Sequence, residues 1–598
     1  MDRNTVIGFT LIFVLLVAWI VTTAPDPEVM EQRRMERLAQ DSLRALQEQS
    51  EQELEVFEDL EPTAQVGIFD QGVQDTLITV VETPRYTVHF SNIGGGPVRY
   101  YLNNYKTWNG KTVQMLSDSL MSTYSLGFIS EENYFIETNR LPFQPVDFTD
   151  HIVVEEGQET AIQYVLEVED GRRMIYTYSF NADSYEFGLN IRFDGIEELI
   201  SGRNVEFTWT SPLNATERSR SSEAMYTAAY SRAGGVLEQF QPGEGFSETL
   251  ITGNIDWVAS KTKFFTQIMK PVTPSDGATI TAEISGDPSA ESTIHAYTTS
   301  IRSRIAMENQ MDFRMYVGPL DLMELRDFDR NAFDMVDTGF RFMTWFSDPF
   351  VKWVIVPFFK FMGNATGNIG VTIIIFAFLV KLVLYPLTKK SFESMAAMRE
   401  LQPEMKLIQE KFKDNPQKQQ EATLKLFKKA KVNPLGSCLP NLLQVPVLIT
   451  FWRYFQNAIE LRQESFLWAP DLASPDVILN LPFEIPFLGD HIAGFVLLMS
   501  ASMVIQMRIS GQSTATPNPM LKVFQYVLPV MLFFIFNTLS SGLSLYYLIY
   551  NSLSIGQQML INKQIDHVKL METVDKKRAK EMRREQLLEE KRKKKEQR

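Results

Sequence analysis

The chain is 598 residues long, has a formal net charge of −15 and contains one cysteine, Cys438. Its length allows two or three domains, and a single cysteine excludes an intrachain disulfide. The five histidines are scattered without the spacing of metal ligands, and no phosphate loop of the form GxxxxGKS or GxxxxGKT occurs. The sequence therefore predicts no metal centre, no cofactor and no nucleotide hydrolysis.

The charge is distributed unevenly along the chain. Residues 24–350 hold 25 Lys and Arg against 52 Asp and Glu, whereas the remaining residues hold 33 against 21. An acidic part and a basic part of this size suggest that the two lie in different compartments.

An apolar, uncharged run occupies residues 6–23. Two interpretations are a cleaved signal peptide and a retained membrane anchor. The run is longer than a usual signal-peptide core, the residues before it have no net positive charge, and a proline follows it closely, which disfavours cleavage. We therefore predict an uncleaved anchor over residues 1–24. Residues 25–62, rich in Glu, Gln and Arg, are typical of a solvated helix or a flexible tether.

Between residues 63 and 318 the hydrophobic pattern has a period of two. Apolar and polar side chains alternate in residues 185–193, 205–209 and 311–317, and turn clusters such as residues 94–97 separate these runs. Such runs are half-buried strands, and this length of them predicts one large antiparallel β-sandwich. Its many carboxylates would suit a glycosidase pair, but a solvated acidic surface is the favoured interpretation.

Residues 319–366 are predicted to form connecting and interfacial helices. An aspartate before a proline, Asp348-Pro349, is typical of a helix start. The helix that follows combines aromatic residues with two lysines, as helices that lie in a membrane interface do. The glycine-rich segment 363–370 is predicted to bend the chain into the next helix.

Five apolar stretches follow, and each is predicted to cross a membrane, because about 20 apolar residues span a bilayer as a helix. They are residues 368–387, 437–457, 492–509, 523–539 and 543–562. Together with the N-terminal anchor they predict six spans. The proline-rich segment 469–490 between the second and third of these stretches is predicted as an interfacial loop.

Residues 388–435 are polar and strongly helical, with apolar stripes on either side of Asp414-Asn415-Pro416. This pattern predicts a hairpin of two antiparallel helices. The stripes contain Phe392, Leu401, Met405 and Phe427. The hairpin has 11 basic against 6 acidic residues, and the tail 563–598 has 14 against 8. By the positive-inside rule, the hairpin, the tail and both termini are cytoplasmic, and the acidic β domain lies outside.

Lys381 interrupts the first of these five stretches, about seven residues before the polar segment begins. A central lysine costs roughly 2.5–3.5 kcal/mol to insert, and less if it snorkels. One interpretation is that Lys381 lines a polar recess between helices. The other is that its side chain reaches the lipid head groups. Depth alone does not decide between them.

The later stretches carry further polar side chains. They include Gln444, Gln506, Tyr546, Tyr547, Tyr550, Ser554 and Gln558. Hydrogen bonds between helices would satisfy such groups. For Lys381 with Gln444 and the face from Tyr546 to Gln558 we favour a water-filled cavity. The predicted spans contain no carboxylate, which disfavours an ion-coupled pump. A cavity of this kind would solvate a polar segment crossing the membrane while its apolar neighbour enters the lipid, driven by hydrophobic burial and the membrane potential.

Several short motifs resemble the YidC family of bacterial membrane-protein insertases, in its Gram-negative form with a large periplasmic domain. The residues that carry the resemblance are Met315-Tyr316-Val317-Gly318-Pro319, Leu384-Tyr385-Pro386-Leu387-Thr388, Leu401-Gln402-Pro403, Lys431-Val432-Asn433-Pro434-Leu435-Gly436, and Ser541-Gly542-Leu543 with Leu545-Tyr546-Tyr547. With the order of the elements, the resemblance covers almost the whole chain and is most specific over residues 311–562.

The resemblance implies five core spans around a cytoplasm-facing hydrophilic groove, a periplasmic β-supersandwich, and a location in the inner membrane. It implies a non-enzymatic insertase and chaperone that acts alone or with the Sec translocon on nascent membrane proteins. Lys381 falls on the family's groove arginine, and Ala377 falls where some members have a threonine. Gln444 and Tyr547 match groove and client-contact positions, and Tyr546, Gln506 and Gln558 are predicted to line the same groove.

The resemblance also implies contacts with the ribosome through the cytoplasmic loops and the tail. The residues predicted for these parts are Leu401, Pro403, Met405 and Phe427 in the hairpin, and Arg583, Arg584, Lys591, Arg592 and Lys593 in the tail. The resulting domains are residues 1–24, 25–62, 63–318, 319–366, 367–562 and 563–598. The alternatives are a membrane-anchored periplasmic carbohydrate-binding protein, which leaves five spans unexplained, and a transporter, for which no inverted repeat is visible.

Overall fold

The computed structural model describes residues 67–69, 75–116, 123–285, 294–413, 415–430, 439–485, 488–510 and 519–564. The described residues up to Val336 form one compact unit, here called the β unit, and those from Asp337 onward form a second, the helical unit. The predicted N-terminal anchor, the whole of the predicted tether, and the part of the basic tail that holds its five named Arg and Lys residues lie outside the described residues.

The β unit is built from strands β1 to β20. Their bounds are β1 Ile78–Glu82, β2 Tyr86–Ser91, β3 Gly96–Lys106, β4 Thr112–Gln114, β5 Tyr124–Ser130, β6 Phe135–Glu137, β7 Gln144–Pro145, β8 His151–Val153, β9 Glu159–Glu167, β10 Arg173–Asn181, β11 Glu186–Asp194, β12 Ile200–Leu213, β13 Ala228–Ala233, β14 Val236–Phe240, β15 Gly245–Thr252, β16 Ile255–Lys261, β17 Phe265–Pro271, β18 Gly277–Ser285, β19 Ile294–Arg304 and β20 Gln310–Pro319.

These strands form three sheets. A five-stranded sheet has the order β4-β3-β2-β1-β8, a nine-stranded sheet the order β14-β13-β16-β17-β20-β11-β10-β9-β7, and a six-stranded sheet the order β15-β18-β19-β12-β5-β6. The predicted antiparallel pairing is confirmed for most neighbours, but β1 and β8 pair in parallel. The prediction of one large antiparallel sandwich therefore misses this parallel pair, because alternation along one strand carries no information about its partner.

The period-two pattern corresponds to real strands with one buried face. In β11, Phe187, Leu189, Ile191 and Phe193 are buried and the residues between them are not. The strand pairs with β10 in a register that places Leu189 opposite Tyr178. Successive side chains of a strand point to opposite faces, so this alternation buries one side of the nine-stranded sheet.

The helices have the following bounds. They are α1 Arg220–Ala224, α2 Leu322–Phe328, α3 Thr344–Phe350, α4 Val356–Thr366, α5 Ile369–Glu400, α6 Gln402–Lys411, α7 Pro416–Ala430, α8 Leu439–Phe455, α9 Gly494–Ser510, α10 Pro519–Phe536 and α11 Ser541–Gln564. Helices α1 and α2 belong to the β unit and the others to the helical unit. A π-helical turn, Val351–Ile355, joins α3 to α4.

The predicted bend before the Lys381 helix is confirmed. Gly367 ends α4 in the left-handed conformation, with φ of 64°, which glycine adopts without strain. Asn368 then caps α5, because its side-chain oxygen accepts a hydrogen bond of 3.1 Å from the backbone N–H of Val371. Gly370 follows, and a Cβ there would lie 2.2 Å from Cγ of Phe466, so the aromatic ring packs directly on the first turn of α5.

Helix α5 continues for 32 residues and crosses Thr388 without a break. The sequence predicted that the span ends at Leu387 and that a separate hairpin begins at Thr388. At that boundary the side chains change from apolar to polar, but the backbone remains helical. Pro386 lacks an N–H and removes only one hydrogen bond of the helix, so polar residues extend the same helix to Glu400.

The predicted helical hairpin is confirmed beyond that point, as α6 and α7. Leu401 separates α5 from α6, and α7 begins at Pro416, as the Asp-Asn-Pro signal predicts. The two predicted stripes meet in one buried cluster. Its members are Ala397, Leu401, Met405, Leu426, Phe427 and Ala430.

The segment between α8 and α9 was predicted as a loop, and this was wrong. It contains a two-stranded antiparallel sheet, β21 Val477–Ile485 with β22 Gly489–Ala493. Buried Asn537, just after α10, binds this sheet through its side chain. Its Oδ1 accepts from the N–H of Ala493 at 2.9 Å, and its Nδ2 donates to the carbonyl of Leu488 at 2.8 Å. The prolines that suggested a loop are tolerated in a short edge strand.

Among the described residues, one helical segment is long and apolar enough to cross a membrane, Ile369–Pro386. Val445–Phe455 and Gly494–Ile509 are apolar helices of shorter length. The predicted number of six spans is therefore not confirmed by the helices themselves.

Candidate functional site

The candidate site lies where α11 packs along α5 and α9. Four polar side chains follow one another on α11 at four-residue spacing, a spacing that places them on one face of a helix. They are Tyr546, Tyr550, Ser554 and Gln558, and all four are buried. Polar side chains buried on a helix face need partners, so the neighbouring helices decide what this face does.

Lys381 of α5 points into this interface and is 7% exposed. Its Nζ donates a hydrogen bond of 2.7 Å to the hydroxyl oxygen of Ser554. The same atom lies 4.7 Å from the ring centroid of Tyr550 and 4.9 Å from that of Phe392, which is also on α5. The ammonium is thus enclosed by one hydroxyl group and two aromatic faces, and is not at the surface of the unit.

The Ser554 hydroxyl is oriented by the helix that carries it. Its single proton is donated to the carbonyl oxygen of Tyr550 at 2.8 Å, one turn earlier in α11. The oxygen lone pairs are therefore free to accept from Lys381. Within the described part of the chain, no carboxylate forms an ion pair with this lysine.

Tyr546, Tyr547 and Gln558, predicted to line a groove with Lys381, lie on the same helix but contact other groups. The ring of Tyr546 packs against Phe451 of α8, with centroids 4.5 Å apart. Tyr547 packs edge-on against Phe536 at 5.9 Å. Gln558 donates through Nε2 to Asn562 Oδ1 at 2.7 Å.

Gln506 is not brought into contact with Lys381 by the hydrogen bonds of the described residues. Gln506 is half-buried on α9. Gln444 belongs to α8, but its side chain lies outside the described part of the structure. Their predicted role as groove residues stays a prediction.

Phe392 is the contact of Lys381 that sequence reasoning missed. The sequence placed Phe392 on the apolar stripe of the hairpin. It placed Tyr550 and Ser554 among the polar residues of the last apolar stretch and assigned no partner to either. Phe392 follows Lys381 by eleven residues, close to three turns at 3.6 residues per turn, so both lie on one face of α5. That spacing was the available signal, and the premature end predicted for this helix concealed it.

Polar atoms in this region remain unpaired. Among the described residues, the hydroxyl groups of Tyr546, Tyr547 and Ser544 and the side-chain oxygens of Gln557 and Gln558 are buried without a hydrogen-bond partner. Buried polar atoms in folded proteins nearly always have one, from protein or water. The face of α11 around Lys381 therefore has unused capacity to bind water or a polar group.

The four predicted hairpin residues lie apart from this face. Leu401, Met405 and Phe427 are buried in the cluster between the end of α5, α6 and α7, and Pro403 is the second residue of α6. Their packing stabilises the hairpin. In the described part of the chain, no group of three or more His, Cys, Asp or Glu side chains is placed to hold a metal ion.

Two family models match the chain. That of the 60Kd inner membrane protein matches residues 361–568, and that of the YidC periplasmic domain matches residues 78–353. The membrane protein insertase YidC of Chloroherpeton thalassium (strain ATCC 35110 / GB-78) is 33% identical, over 94% of this chain and 96% of that protein. The insertase YidC of Prosthecochloris aestuarii (strain DSM 271 / SK 413) is also 33% identical, over 94% and 95%. A crystal structure of an active YidC insertase with its first transmembrane domain resolved matches with a TM-score of 0.33 and 19% identity, over 81% of this chain and 92% of that one.

A β-rich domain matched by one family model, joined to a helical C-terminal region matched by the other, defines a membrane protein of the inner-membrane class. The chain belongs to the YidC family of membrane protein insertases. Its function is the insertion of proteins into the membrane, and its substrates, here called clients, are nascent membrane proteins.

Proposed function

We propose that the helical unit inserts clients through a polar groove that contains Lys381 and the buried face of α11. This proposal rests on one observation. The buried ammonium of Lys381 is held by a hydroxyl group and two aromatic rings, and no carboxylate of the described residues forms an ion pair with it. A fixed positive charge without a counterion attracts acidic or polar segments of a client. The unpaired hydroxyl and amide oxygens nearby add hydrogen-bond partners for such a segment.

The groove would act by solvation and without covalent chemistry, so the protein would not be an enzyme. A polar client segment that enters the groove exchanges water for the side chains of α11 and α5. Its apolar neighbour then moves sideways into lipid, and hydrophobic burial drives the step at about 25 cal/mol per Å² of apolar surface. Insertion would need no cofactor and no small-molecule substrate.

The proposed architecture has six spans, of which five form the core with the groove: the first part of α5, then α8, α9, α10 and α11. The domain boundaries predicted from the sequence are retained, with the reservation that α5 reaches into the hairpin. Support comes from the charge of the chain, since the basic hairpin and tail favour a cytoplasmic position and the acidic residues 24–350 a periplasmic one. Both termini would then be cytoplasmic.

The Sec translocon and the ribosome are the proposed partners beside the clients. The tail carries 14 basic against 8 acidic residues, and a basic tail binds phosphate with a strong dependence on salt. Deleting residues 570–598 is expected to weaken co-sedimentation with ribosomes at low salt. Unchanged co-sedimentation would show that the tail has no part in it.

Substituting Lys381 tests the groove. In proteoliposomes, Lys381→Ala is expected to lower the initial insertion rate of a client with a charged translocated tail on the order of tenfold, the equivalent of about 1.4 kcal/mol. Lys381→Arg keeps the charge and is expected to lose less, although it changes the geometry of the hydrogen bonds. Equal rates for all three proteins would exclude a role for the charge.

A further inference from the structure

Lys381 is positioned by an aromatic cage, defined here as the rings of Phe392 and Tyr550 with the hydroxyl of Ser554. The two ring centroids lie 4.9 and 4.7 Å from Nζ, within the range over which an aromatic face attracts a cation. Phe392 comes from the same helix as Lys381, and Tyr550 from α11. The cage therefore exists only when α5 and α11 are packed together.

The residues of the cage are themselves held in place. Phe392 is 7% and Tyr550 5% exposed. Phe392 belongs to a small buried cluster with Met395, Ala396 and Ile561, so its ring has packing neighbours from both helices. The ring of Tyr550 stacks with that of Tyr546 at 6.0 Å. The aromatic faces are thus presented to the ammonium by side chains whose positions are fixed by packing.

We infer that Phe392 and Tyr550 are positioning residues of the insertase, which hold the ammonium of Lys381 in the groove by their ring faces and leave its charge available to a carboxylate of the client. This rests on the proposed function of the groove. A carboxylate in the place of either ring would hold the lysine equally well but would cancel its charge. An aromatic face attracts the ammonium through its quadrupole and carries no net charge.

The geometry of the cage suits the ammonium group of a lysine. An ammonium is a compact charge with three donors on a flexible stem. One donor reaches Ser554, the rings of Phe392 and Tyr550 flank the ammonium, and its other two donors make no hydrogen bond within the described part of the chain. Removing one ring leaves the stem free to move, so the charge is lost from its fixed position while the lysine itself remains.

The test compares two versions of one client that differ by a single Asp or Asn in the translocated segment, inserted by the full-length protein in proteoliposomes. The readout is the ratio of the initial rates for the Asp and the Asn client. Tyr550→Leu and Phe392→Leu are each expected to lower this ratio about fivefold, within the range of a lost cation–π contact, because the Asp client loses more rate than the Asn client does. Tyr550→Phe keeps the ring and is expected to keep the ratio.

Phe359→Leu is the matched control, because Phe359 is a buried aromatic residue of the helical unit that packs against Phe376 and Phe455. It is expected to leave the ratio unchanged. Equal losses for both clients in Tyr550→Leu would reduce the cage to ordinary packing and overturn the inference. The inference would also be overturned if Tyr550→Leu left the Asp-to-Asn ratio unchanged while Lys381→Ala lowered it. If Lys381→Ala itself leaves the ratio unchanged, the proposed function of the groove fails first, and the role of the cage fails with it.

Discussion

The β unit and the helical unit each contain a buried ionisable side chain, Glu223 and Lys381 respectively, that has no ion pair within the described part of the chain, and the surroundings of the two differ. Glu223 in the β unit is 3% exposed and Lys381 in the helical unit is 7% exposed. Glu223 accepts hydrogen bonds from the backbone N–H groups of Thr216 and Glu217 and from the Thr216 hydroxyl. Lys381 has one hydroxyl acceptor and two aromatic faces.

The two groups differ in how many of their hydrogen-bonding positions are occupied, and in which parts of the chain occupy them. The donors around Glu223 occupy both of its oxygens and belong to its own loop, so the carboxyl group is a structural element of the β unit. The surroundings of Lys381 come from two different helices and use one of its three donors. The first arrangement closes a loop, and the second joins two helices and leaves two donors of the ammonium without a hydrogen bond among the described residues.

The stability of the β unit is expected to depend on pH through Glu223. Burial, followed by the nearby Glu217, raises the pKa of Glu223 to about 7, although the hydrogen bonds from Thr216 and Glu217 oppose this. The folded state therefore binds the proton more tightly than the unfolded one. Its stabilising contribution is present in acid and is lost as the pH rises from about 4.5 to about 7, on the order of 3 kcal/mol at 1.36 kcal/mol per pKa unit.

Hydrogen exchange of residues 214–227 in the full-length protein, corrected for the intrinsic rate, measures this loss. The opening free energy is expected to fall between pH 5 and pH 8 in the unmodified protein, and this fall is expected to disappear in Glu223→Gln. Glu217→Gln is the more subtle control, because removal of the neighbouring charge should move the transition to lower pH. A flat profile for the unmodified protein would contradict a buried carboxyl group that titrates near neutral pH.

Much of the architecture that places these two residues could be predicted from the sequence. The alternation in residues 185–193 and 311–317 corresponds to β11 and β20, and the glycine-rich bend before α5 is where the residues placed it. Lys381 was identified as the unusual residue of its helix, because a cation in an apolar run is visible without any structure. All of these signals are local, within one or two turns of the chain.

The partners of Lys381 could not be predicted in the same way. Ser554 lies 173 residues away, and no periodicity in α5 indicates which turn of α11 it will face. Asn537 likewise binds Ala493 and Leu488 from far along the chain, beyond α10. Such contacts are tertiary, and a single sequence contains no record of which distant residues meet.

A single substitution at position 554 can give Lys381 the ion pair that it lacks. Ser554→Asp places a carboxylate next to the ammonium, at the position where the hydroxyl now accepts at 2.7 Å. The pair should cancel the charge, and insertion of a client with an acidic translocated segment is expected to fall about tenfold, equivalent to about 1.4 kcal/mol. Initial insertion rates in proteoliposomes measure it.

Ser554→Asn separates charge from shape in this experiment. It has almost the volume of aspartate, keeps an oxygen acceptor for Lys381 and carries no charge. A loss with Asp that is much larger than the loss with Asn would assign the effect to neutralisation. Equal losses would mean that the side chain at position 554 acts through packing, and that the charge of Lys381 is not what an acidic client uses.

The smallest effect concerns a cation of the β unit that does have a carboxylate. Lys270 donates from Nζ to Oδ2 of Asp329 at 2.5 Å, and their side chains are 25% and 14% exposed. Burial alone would raise the pKa of Asp329, but the hydrogen bonds from Lys270 and from the N–H of Asn331 lower it below its usual value. Its stabilising contribution is therefore present at neutral pH and is lost as the pH falls through the lowered pKa.

Lys270→Met keeps the apolar stem of the side chain and removes its charge. It is expected to lower the opening free energy of residues 320–336 by about 1 kcal/mol at pH 7, because a partly buried ion pair contributes little more than an exposed one. The matched control is Arg173→Met, which breaks the more exposed pair of Arg173 with Asp194, at 47% and 40% exposure, and should cost about half as much or less. The two losses, measured by hydrogen exchange of the segments concerned, rank the pairs by burial. The contrary outcome is that breaking the exposed pair lowers the opening free energy as much as breaking the half-buried pair. In that case burial does not strengthen ion pairs in the β unit, and the difference between Glu223 and Lys381 rests only on the hydrogen-bond donors around Glu223.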